Sequence, residues 1–250
     1  MKISAFIITL NEEQHIERAL TSLSTFDEVV VVDSGSTDKT IEICTKFSNC
    51  RVFTQDWLGF SKQKQFALNL CANDWAFNLD ADEEISPKVI ADIEACLSSH
   101  QFVAASFPRR EYFLGEITHP WVKNNRFTRL IKRSNAKYNE KLVHESLQVD
   151  GRTMESDAQF FHYGEQTLFI KITKLNSYAR LRAMEKASNG KQASVIRMLL
   201  APFLAFIKNY FLKRNMFMGK RGLIGSLIVA FYSFLKEANL YEINRENKQH

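Results

Sequence analysis

Val29-Val30-Val31-Val32-Asp33-Ser34-Gly35-Ser36-Thr37-Asp38 sets four β-branched residues directly before a polar turn. An apolar run without alternation suits a strand buried on both faces, as in a parallel sheet. The Asp, Ser and Gly that follow are turn and cap formers, and a helix is predicted next, through Ile41 and Phe47. The same grammar holds on either side. Upstream, Ile3 to Thr9 reads as a buried strand, with Asn11 as the expected cap of a helix carrying Ile16, Ala19, Leu20 and Leu23 at helical spacing. Downstream, Arg51 to Thr54 is a third strand, Phe60 to Cys71 a helix and Trp75 to Leu79 a fourth strand, while Ser86 and Pro87 are placed to cap and start another helix. Strand and helix in alternation predict an α/β fold: an open, mostly parallel sheet with helices on its faces.

Ligands of such sheets bind beyond the carboxyl ends of the strands. Three polar clusters fall there: Thr9-Leu10-Asn11-Glu12, Asp33-Ser34-Gly35-Ser36 and Asp80-Ala81-Asp82. Capping explains any one of them; three on one rim point to a site. Asp80 and Asp82, two residues apart at a strand end, are expected on the same side. Like charges so close repel unless a cation or water intervenes, so the segment reads either as a metal station or as a solvated acidic turn. Glu83 and Glu84 are expected to face solvent. The phosphate loops GxGxxG and GxxxxGK[ST] are absent, so a nucleotide bound here would depend on carboxylates and a metal.

The 250 residues, 45% hydrophobic and 24% charged, are ordinary for a globular chain. They contain no period of the kind that marks repeat proteins. Cys44, Cys50, Cys71 and Cys96 have no metal-type spacing and, with no signal-peptide pattern, read as reduced thiols of a cytoplasmic protein. The net charge of +5 is unevenly spread: Lys186 to Lys236 contains nine Lys or Arg and no Asp or Glu.

Taken in order, Thr9-Leu10-Asn11-Glu12, the Asp33 to Asp38 turn, Gly59-Phe60-Ser61-Lys62-Gln63-Lys64 and Asp80-Ala81-Asp82-Glu83 resemble the motif series of family 2 glycosyltransferases of the GT-A fold. Within that family they are most similar to the lipopolysaccharide-core glucosyltransferases of Gram-negative bacteria. The resemblance covers residues 2 to 165, and the basic tail is also like that subgroup's. It implies that Thr9, Asn11 and Glu12 border the nucleoside of a UDP-sugar donor and that Asp33 accepts a hydrogen bond from uracil. Lys64 would lie near the nucleotide, although Gln65 stands where relatives often carry Asn. Asp80 would touch ribose or metal. Asp82, the second acid of a DXD motif, would ligate Mg²⁺ or Mn²⁺, which neutralises a departing diphosphate.

Beyond Gln101 the pattern changes: Phe102 to Phe107 reads as a strand, Tyr112-Phe113-Leu114-Gly115 as a strand end and Arg126 to Lys132 as an alternating strand, and a mixed second half of the sheet is predicted. Trp121, Lys123, Arg126, Arg129, Lys132 and Arg133 could grip an acceptor or pyrophosphate, or protect a strand edge with charge. An inverting transferase needs a carboxylate to take the acceptor proton. The resemblance gives that role to Glu145, with His144 orienting it and Glu111 as the next candidate; from residue type alone Glu145 is a structural or solvated acid. His162, after the aromatic pair Phe160-Phe161, is a core residue by position and a metal ligand by resemblance.

The expected domains are a catalytic part, residues 1–165, with its nucleotide-sugar portion over about 1–100, and a helical region, 166–250. Helices are predicted from Gln166 to Lys186, Val195 to Leu212 and Leu223 to Leu240. The longest uncharged stretch, Gly222 to Leu235, has 14 residues, short of the ~20 that span a bilayer. Basic, aromatic-rich helices of this kind suit the surface of an anionic membrane; packing as a hairpin or dimer interface is the competing reading. Their aromatics alternate with Leu and Ile at helical spacing, which argues against nucleic acid. Oligomeric state is left open. The leading expectation is therefore a peripheral transferase on the cytoplasmic face of the membrane, moving a hexose, glucose from UDP-glucose, onto a lipid-anchored saccharide. A nucleotidyltransferase and a non-enzymatic nucleotide-sugar or lipid-surface binding module are the alternatives.

Overall fold

The computed structural model describes residues 2–139, 147–164 and 167–247. It divides into two compact units, Met1–Glu111 with Asn125–Gly164, and Tyr112–Asn124 with Glu165–His250.

The first unit opens with β1 (Ser4–Thr9), α1 (Ile16–Ser22), β2 (Glu28–Asp33), α2 (Thr40–Cys44), β3 (Cys50–Thr54), α3 (Phe60–Leu70) and β4 (Trp75–Asn78). The four strands pair in parallel in the order β3-β2-β1-β4. The valine run is buried along its length because both sheet faces are covered. Val29 and Val31 join a cluster with Ile16, Ala19, Leu20 and Phe77, whereas Val30 and Val32 join Phe6, Ala67 and Leu68 of the opposite face. Burying a side chain of this size contributes about 1.5–3 kcal/mol, so the valine run fixes the layering.

The chain continues through β5 (Glu83–Ile85), α4 (Pro87–Ser99), β6 (Ala104–Phe113), β7 (Glu116–Ile117, in the second unit), β8 (Arg126–Lys132), β9 (Ala136–Tyr138), β10 (Leu147–Val149), β11 (Thr153–Glu155) and β12 (Phe160–His162). Strand order runs β3-β2-β1-β4-β8-β6-β12-β5, with β11 also beside β6 and β9 and β10 forming a separate antiparallel pair. β8 is antiparallel to both β4 and β6, so the predicted mixed half is present. It is not a charged edge: β8 is hydrogen-bonded on both sides. Between Ala105 and Ser106 the register slips, pairing Leu130 with Ala105 and Thr128 with Ser106. Arg129 is thus the extra residue of a β-bulge, a device that re-aims a side chain.

Two local expectations fail for physical reasons. Asn11 does not cap α1, whose N-cap is His15. Its side-chain oxygen instead accepts the amide of Thr37 at 2.8 Å, and its own amide donates to Ser36 Oγ at 2.8 Å. α2 stops at Cys44, before Phe47. Gly35 (φ +99°) takes the left-handed turn after Asp33 that an L side chain would strain.

In the second unit β7 pairs with Tyr112 and Phe113. It is followed by α5 (Leu168–Ser188), α6 (Val195–Ile207), a π-helical turn (Lys208–Leu212), a 3₁₀ turn (Asn215–Met218) and α7 (Lys220–Glu246). α5 and α6 both pack on α7. Phe113, Val122, Met218 and Ile228 make a small core, and Arg221 donates to the Phe113 carbonyl at 3.3 Å and pairs with Glu116. By length and composition Val195–Leu212 and Lys220–Glu246 are each long and apolar enough to cross a membrane, and none of the first is buried.

Candidate functional site

β4 ends at Asn78, so Asp80-Ala81-Asp82 is a turn rather than the end of a strand. Two reciprocal bonds close it: Glu83 N donates to Asp80 O, and Asp80 N donates to Glu83 Oε2, both at 3.0 Å. The two aspartates take different partners. Asp80 receives Lys64 Nζ at 2.9 Å and Arg129 Nη2 at 3.3 Å, whereas Asp82 Oδ2 meets His162 Nε2 at 3.1 Å. Burial alone would raise the Asp80 carboxyl, but Lys64 and Arg129 hold it well below the usual carboxylate range.

Glu83 does not face solvent. It is 1% exposed, and Arg129 Nη2 reaches its two oxygens at 2.5 and 2.7 Å while Arg109 Nη1 reaches Oε1 at 3.3 Å. The cause is β5, which pairs with β12 and brings Glu83 opposite His162. Glu84 is also engaged, accepting Tyr163 Oη at 2.6 Å, and the Arg18 guanidinium lies 3.7 Å from the Tyr163 ring centre. Arg129, 4% exposed, also donates to Asn78 Oδ1 at 2.9 Å. Burial would favour a neutral guanidine, yet Glu83 and Asp80 raise its pKa and keep it charged. A charge this deep is tolerated only when paired and hydrogen-bonded.

The other basic residues of this stretch have separate tasks. Arg126 binds the carbonyls of Ser106 and Ser156, and Arg133 those of Asn73 and Asn69 at 3.4 and 3.3 Å. Trp121 and Lys123 belong to the second unit.

His162 is bound at both ring nitrogens, by Asp82 at Nε2 and by Glu111 Oε2 at Nδ1, 2.5 Å away. The strand register explains this: β12 runs parallel to β6 with His162 beside Glu111 and Phe160 beside Arg109. Two positions back on the same strand face, Arg109 Nε holds Glu111 Oε1 at 2.8 Å. Burial by itself would favour the neutral imidazole, but the bonds to Asp82 and Glu111 push its pKa up to about 10. Burial would raise the Glu111 carboxyl too, and His162 and Arg109 hold it down. A carboxylate so engaged is a poor proton acceptor, which argues for Glu111 as the group that orients His162 rather than as a base. Gly164 is part of the same fit: a Cβ there would lie 2.5 Å from His162 Cε1.

The β1 and β2 loops form the neighbouring part of the rim. Thr9 and Asp33 are register partners, Ser34 N donates to Thr9 O at 3.0 Å, and Thr9 Oγ1 is buried without a partner among the described residues. Asp33, 3% exposed, accepts the amides of Gly35 and Ser36 at 2.9 and 2.8 Å and the Ser36 hydroxyl. Glu12 N donates to Thr40 Oγ1 at 2.8 Å. α3 ties the two halves together: Gln63 Nε2 donates to Ser34 Oγ at 3.1 Å, and the next residue, Lys64, holds Asp80.

Thr9, Asn11, Glu12, Asp33, Lys64, Asp80, Asp82 and His162 therefore gather at the carboxyl end of the sheet. Glu145 and His144 lie outside the described residues. Glu83, Arg109 and Gly164 are parts of the site that the sequence did not point to, and Arg129, expected as a grip for acceptor or pyrophosphate or as edge charge, instead holds Glu83 and Asp80. Because β6 runs on through Phe113 rather than stopping at Phe107, Arg109 and Glu111 share one strand face.

Residues 4–154 match the family described as Glycosyl transferase family 2. The chain is 32% identical over 251 residues to the lipopolysaccharide core biosynthesis glycosyltransferase LpsC of Rhizobium meliloti (strain 1021), covering 97% of this chain and 93% of that one. It is also 32% identical over 263 residues to an uncharacterized glycosyltransferase of Rickettsia conorii, covering 99% and 92%. Among solved structures, S. aureus TarS 1–349 in complex with UDP-GlcNAc superposes with a TM-score of 0.50 at 16% identity, covering 100% of this chain and 92% of that one. That is a likeness of fold, the GT-A fold.

Two outcomes follow from the site's geometry. Arg129→Met leaves Glu83 buried without its main partner and is expected to cost about 3–5 kcal/mol in urea denaturation, with part recovered when Glu83→Gln is added. A loss under about 1 kcal/mol would show that the pair does not hold the turn. Gly164→Ala is expected to push the His162 ring off its two carboxylates while far-UV circular dichroism stays unchanged. In an NMR titration of the metal-free protein, the ring pKa should then fall from about 10 towards its ordinary value of about 6.5. Because the folded pKa is raised, the stability supplied by this proton is complete below pH of about 6.5. It fades as pH climbs towards about 10, and the variant should lose most of that slope.

Proposed function

The chain belongs to glycosyltransferase family 2, and we propose that it is an inverting, metal-dependent member that moves a hexose onto lipopolysaccharide or lipooligosaccharide inner core. The donor in this reading is UDP-glucose. Family membership sets aside the nucleotidyltransferase and the non-enzymatic binding module. The observation that carries the reading is the split of the acidic turn: Asp80 is held by Lys64 and Arg129, while Asp82 is paired with a histidine that Glu111 orients.

That donor set fits a divalent cation. A carboxylate and an imidazole converge, the imidazole's second nitrogen is fixed by a carboxylate, the usual support of a metal-bound histidine, and the cation would take the place of the Nε2 proton that Asp82 holds in the metal-free protein. Among the described residues no cluster of three or more His, Cys, Asp or Glu is present, so in this reading substrate oxygens would complete the shell. Asp82 and His162 would hold Mg²⁺ or Mn²⁺, which supplies positive charge for the departing diphosphate.

The chain's own groups have the remaining tasks. Thr9, Asn11, Glu12 and Asp33 border the nucleoside, and the buried Thr9 hydroxyl has no partner among the described residues. Asp33 keeps acceptor capacity for the uracil ring beyond the bonds of its own turn. Asp80 faces ribose with its charge balanced by Lys64 and Arg129. Glu145 takes the proton of the acceptor hydroxyl as that oxygen bonds to the anomeric carbon and the bond to the diphosphate breaks, with inversion. TarS, of the same fold, is known in complex with UDP-GlcNAc, which supports a uridine donor. The likeness to LpsC over 97% of the chain supports a lipopolysaccharide-core acceptor.

In this reading the protein sits peripherally on the cytoplasmic face of the membrane, and the second unit supplies the contact. Val195, Ile196, Leu199, Leu200, Phe203 and Leu204 are each at least half exposed and share one face of α6. An apolar stripe of this kind, within a stretch rich in Lys and Arg, suits an anionic lipid surface.

Asp82→Asn is expected to abolish transfer from UDP-glucose to a purified rough-type lipid acceptor with little change in melting temperature; near-normal turnover with saturating Mn²⁺ would refute the assignment. Glu145→Gln should lower kcat by ~10²-fold or more with UDP binding retained, and a loss of only about two- to three-fold, well below what a positioned general base contributes, would move the base elsewhere. The full chain should float with vesicles containing phosphatidylglycerol at low salt and detach at high salt; equal flotation with neutral vesicles would remove the electrostatic part of the reading.

A further inference from the structure

Within the second unit, the end of α5, the link that follows it and the middle of α7 enclose a cleft of about 290 Å³ lined by Arg182, Glu185, Lys186, Asn189, Lys191 and Lys236. Four cations face it against one carboxylate, and that carboxylate is committed: Glu185 binds Arg182 at 2.5 Å. Just behind, Glu237, 3% exposed, is shared by Lys186 and by Arg197, the latter at 3.5 Å. Lys191 and Lys236 have no carboxylate partner among the described residues. Lys236 Nζ lies 4.6 Å from the Tyr232 ring centre. Its pKa is pulled down by burial and then by the charges of Lys186 and Arg182.

A helix C-terminus attracts cations, and that accounts for Arg182 and Lys186 near the end of α5. It does not account for Lys236, which lies well inside α7 (Lys220–Glu246). Arg182 and Lys186 are balanced by Glu185 and Glu237, which leaves Lys191 and Lys236, and like charges left together in a concave site are costly unless an anion joins them. A phosphate group has the charge and the acceptor oxygens to do so, with the Asn189 amide as a neutral donor.

What carries the phosphate follows from α6. Lys191 lies just ahead of the exposed apolar stripe that begins at Val195, and Arg197 of α6 shares Glu237 with Lys186. The cleft and the head of the stripe are therefore adjacent. We infer that this cleft binds the phosphate of an anionic lipid, as a monoester or diester, with the lipid's acyl chains along the exposed face of α6. The inference rests on the membrane reading of this unit and turns a diffuse charge attraction into a discrete headgroup site.

The test compares the full chain with Lys191→Gln/Lys236→Gln and with a charge-matched control, Lys208→Gln/Lys220→Gln, whose lysines are exposed on the same unit. Each is sedimented with phosphatidylcholine vesicles containing phosphatidic acid or phosphatidylglycerol. Any two lysines near such a surface contribute, so both variants should weaken, but the cleft variant is expected to bind about ten-fold or more below the control. Lys236→Arg should retain most of the binding. Equal losses in the two variants would overturn the cleft while leaving membrane association intact, whereas failure of the unaltered chain to bind any of these vesicles would remove the membrane reading itself. Glycerol 3-phosphate supplies the second arm. Weak competition by it agrees with a lipid ligand, and tight binding that displaces vesicles would make this a site for free phosphate and overturn the lipid part.

Discussion

The Glu83–Arg129 pair is the contact on which the rest of the site depends. Both groups are almost wholly excluded from water, 1% and 4% exposed, and neither could be there without the other, since an isolated buried charge is prohibitively costly. Glu83 also accepts the amide of Asp80, so the pair fixes the backbone of the acidic turn as well as its charge. With the turn fixed, Asp80 is directed to Lys64 and Arg129, and Asp82 to His162. Removing Arg129 would release two carboxylates together and return the turn to the mutual repulsion of its acids.

This arrangement separates charge without separating the residues in sequence. Acids at positions 80, 82 and 83 and their neighbour at 84 each meet a different partner set: two cations, an imidazole, an Arg pair and a Tyr hydroxyl. The cations come from three strands or helices, α3, β6 and β8. The site is thus an assembly of the whole sheet's carboxyl edge. The β-bulge at Arg129 is what allows a strand buried on both sides to offer a guanidinium at that point. The second unit has the same chemistry in a different balance. There acids are fewer than bases, and part of the surplus charge, Lys191 and Lys236, faces a cleft beside an exposed apolar helix.

Much of the layered architecture was legible from the chain. Val29 to Val32 and Ile3 to Thr9 carry no alternation, and a two-sided burial was the reading they required; the clusters on the two sheet faces bear this out. The rim of polar strand ends was equally legible, because short polar residues after apolar runs mark where strands stop. Local preference was less reliable where a side chain had a distant option. Asn11 looks like a helix cap, but its amide oxygen is worth more locking the β1 loop to Thr37. Arg126 to Lys132 looks like an exposed edge because its charges alternate with apolar residues, yet two of those arginines are anchored to carbonyls or carboxylates of neighbouring strands.

By itself the sequence determined the order of the first four strands and the helices between them, the mixed character of the second half of the sheet, the polar rim and the family to which its motifs belong. These depend on short-range patterning, which is written residue by residue. Only the tertiary structure decided which acids are buried, that Glu83 supports the turn instead of facing water, that Glu111 orients His162, and that Gly164 must lack a side chain for His162 to fit. Those outcomes depend on strand register and on partners 20 to 80 residues away. Electrostatic pairing at such separations is a property of the folded arrangement, and no local pattern encodes it.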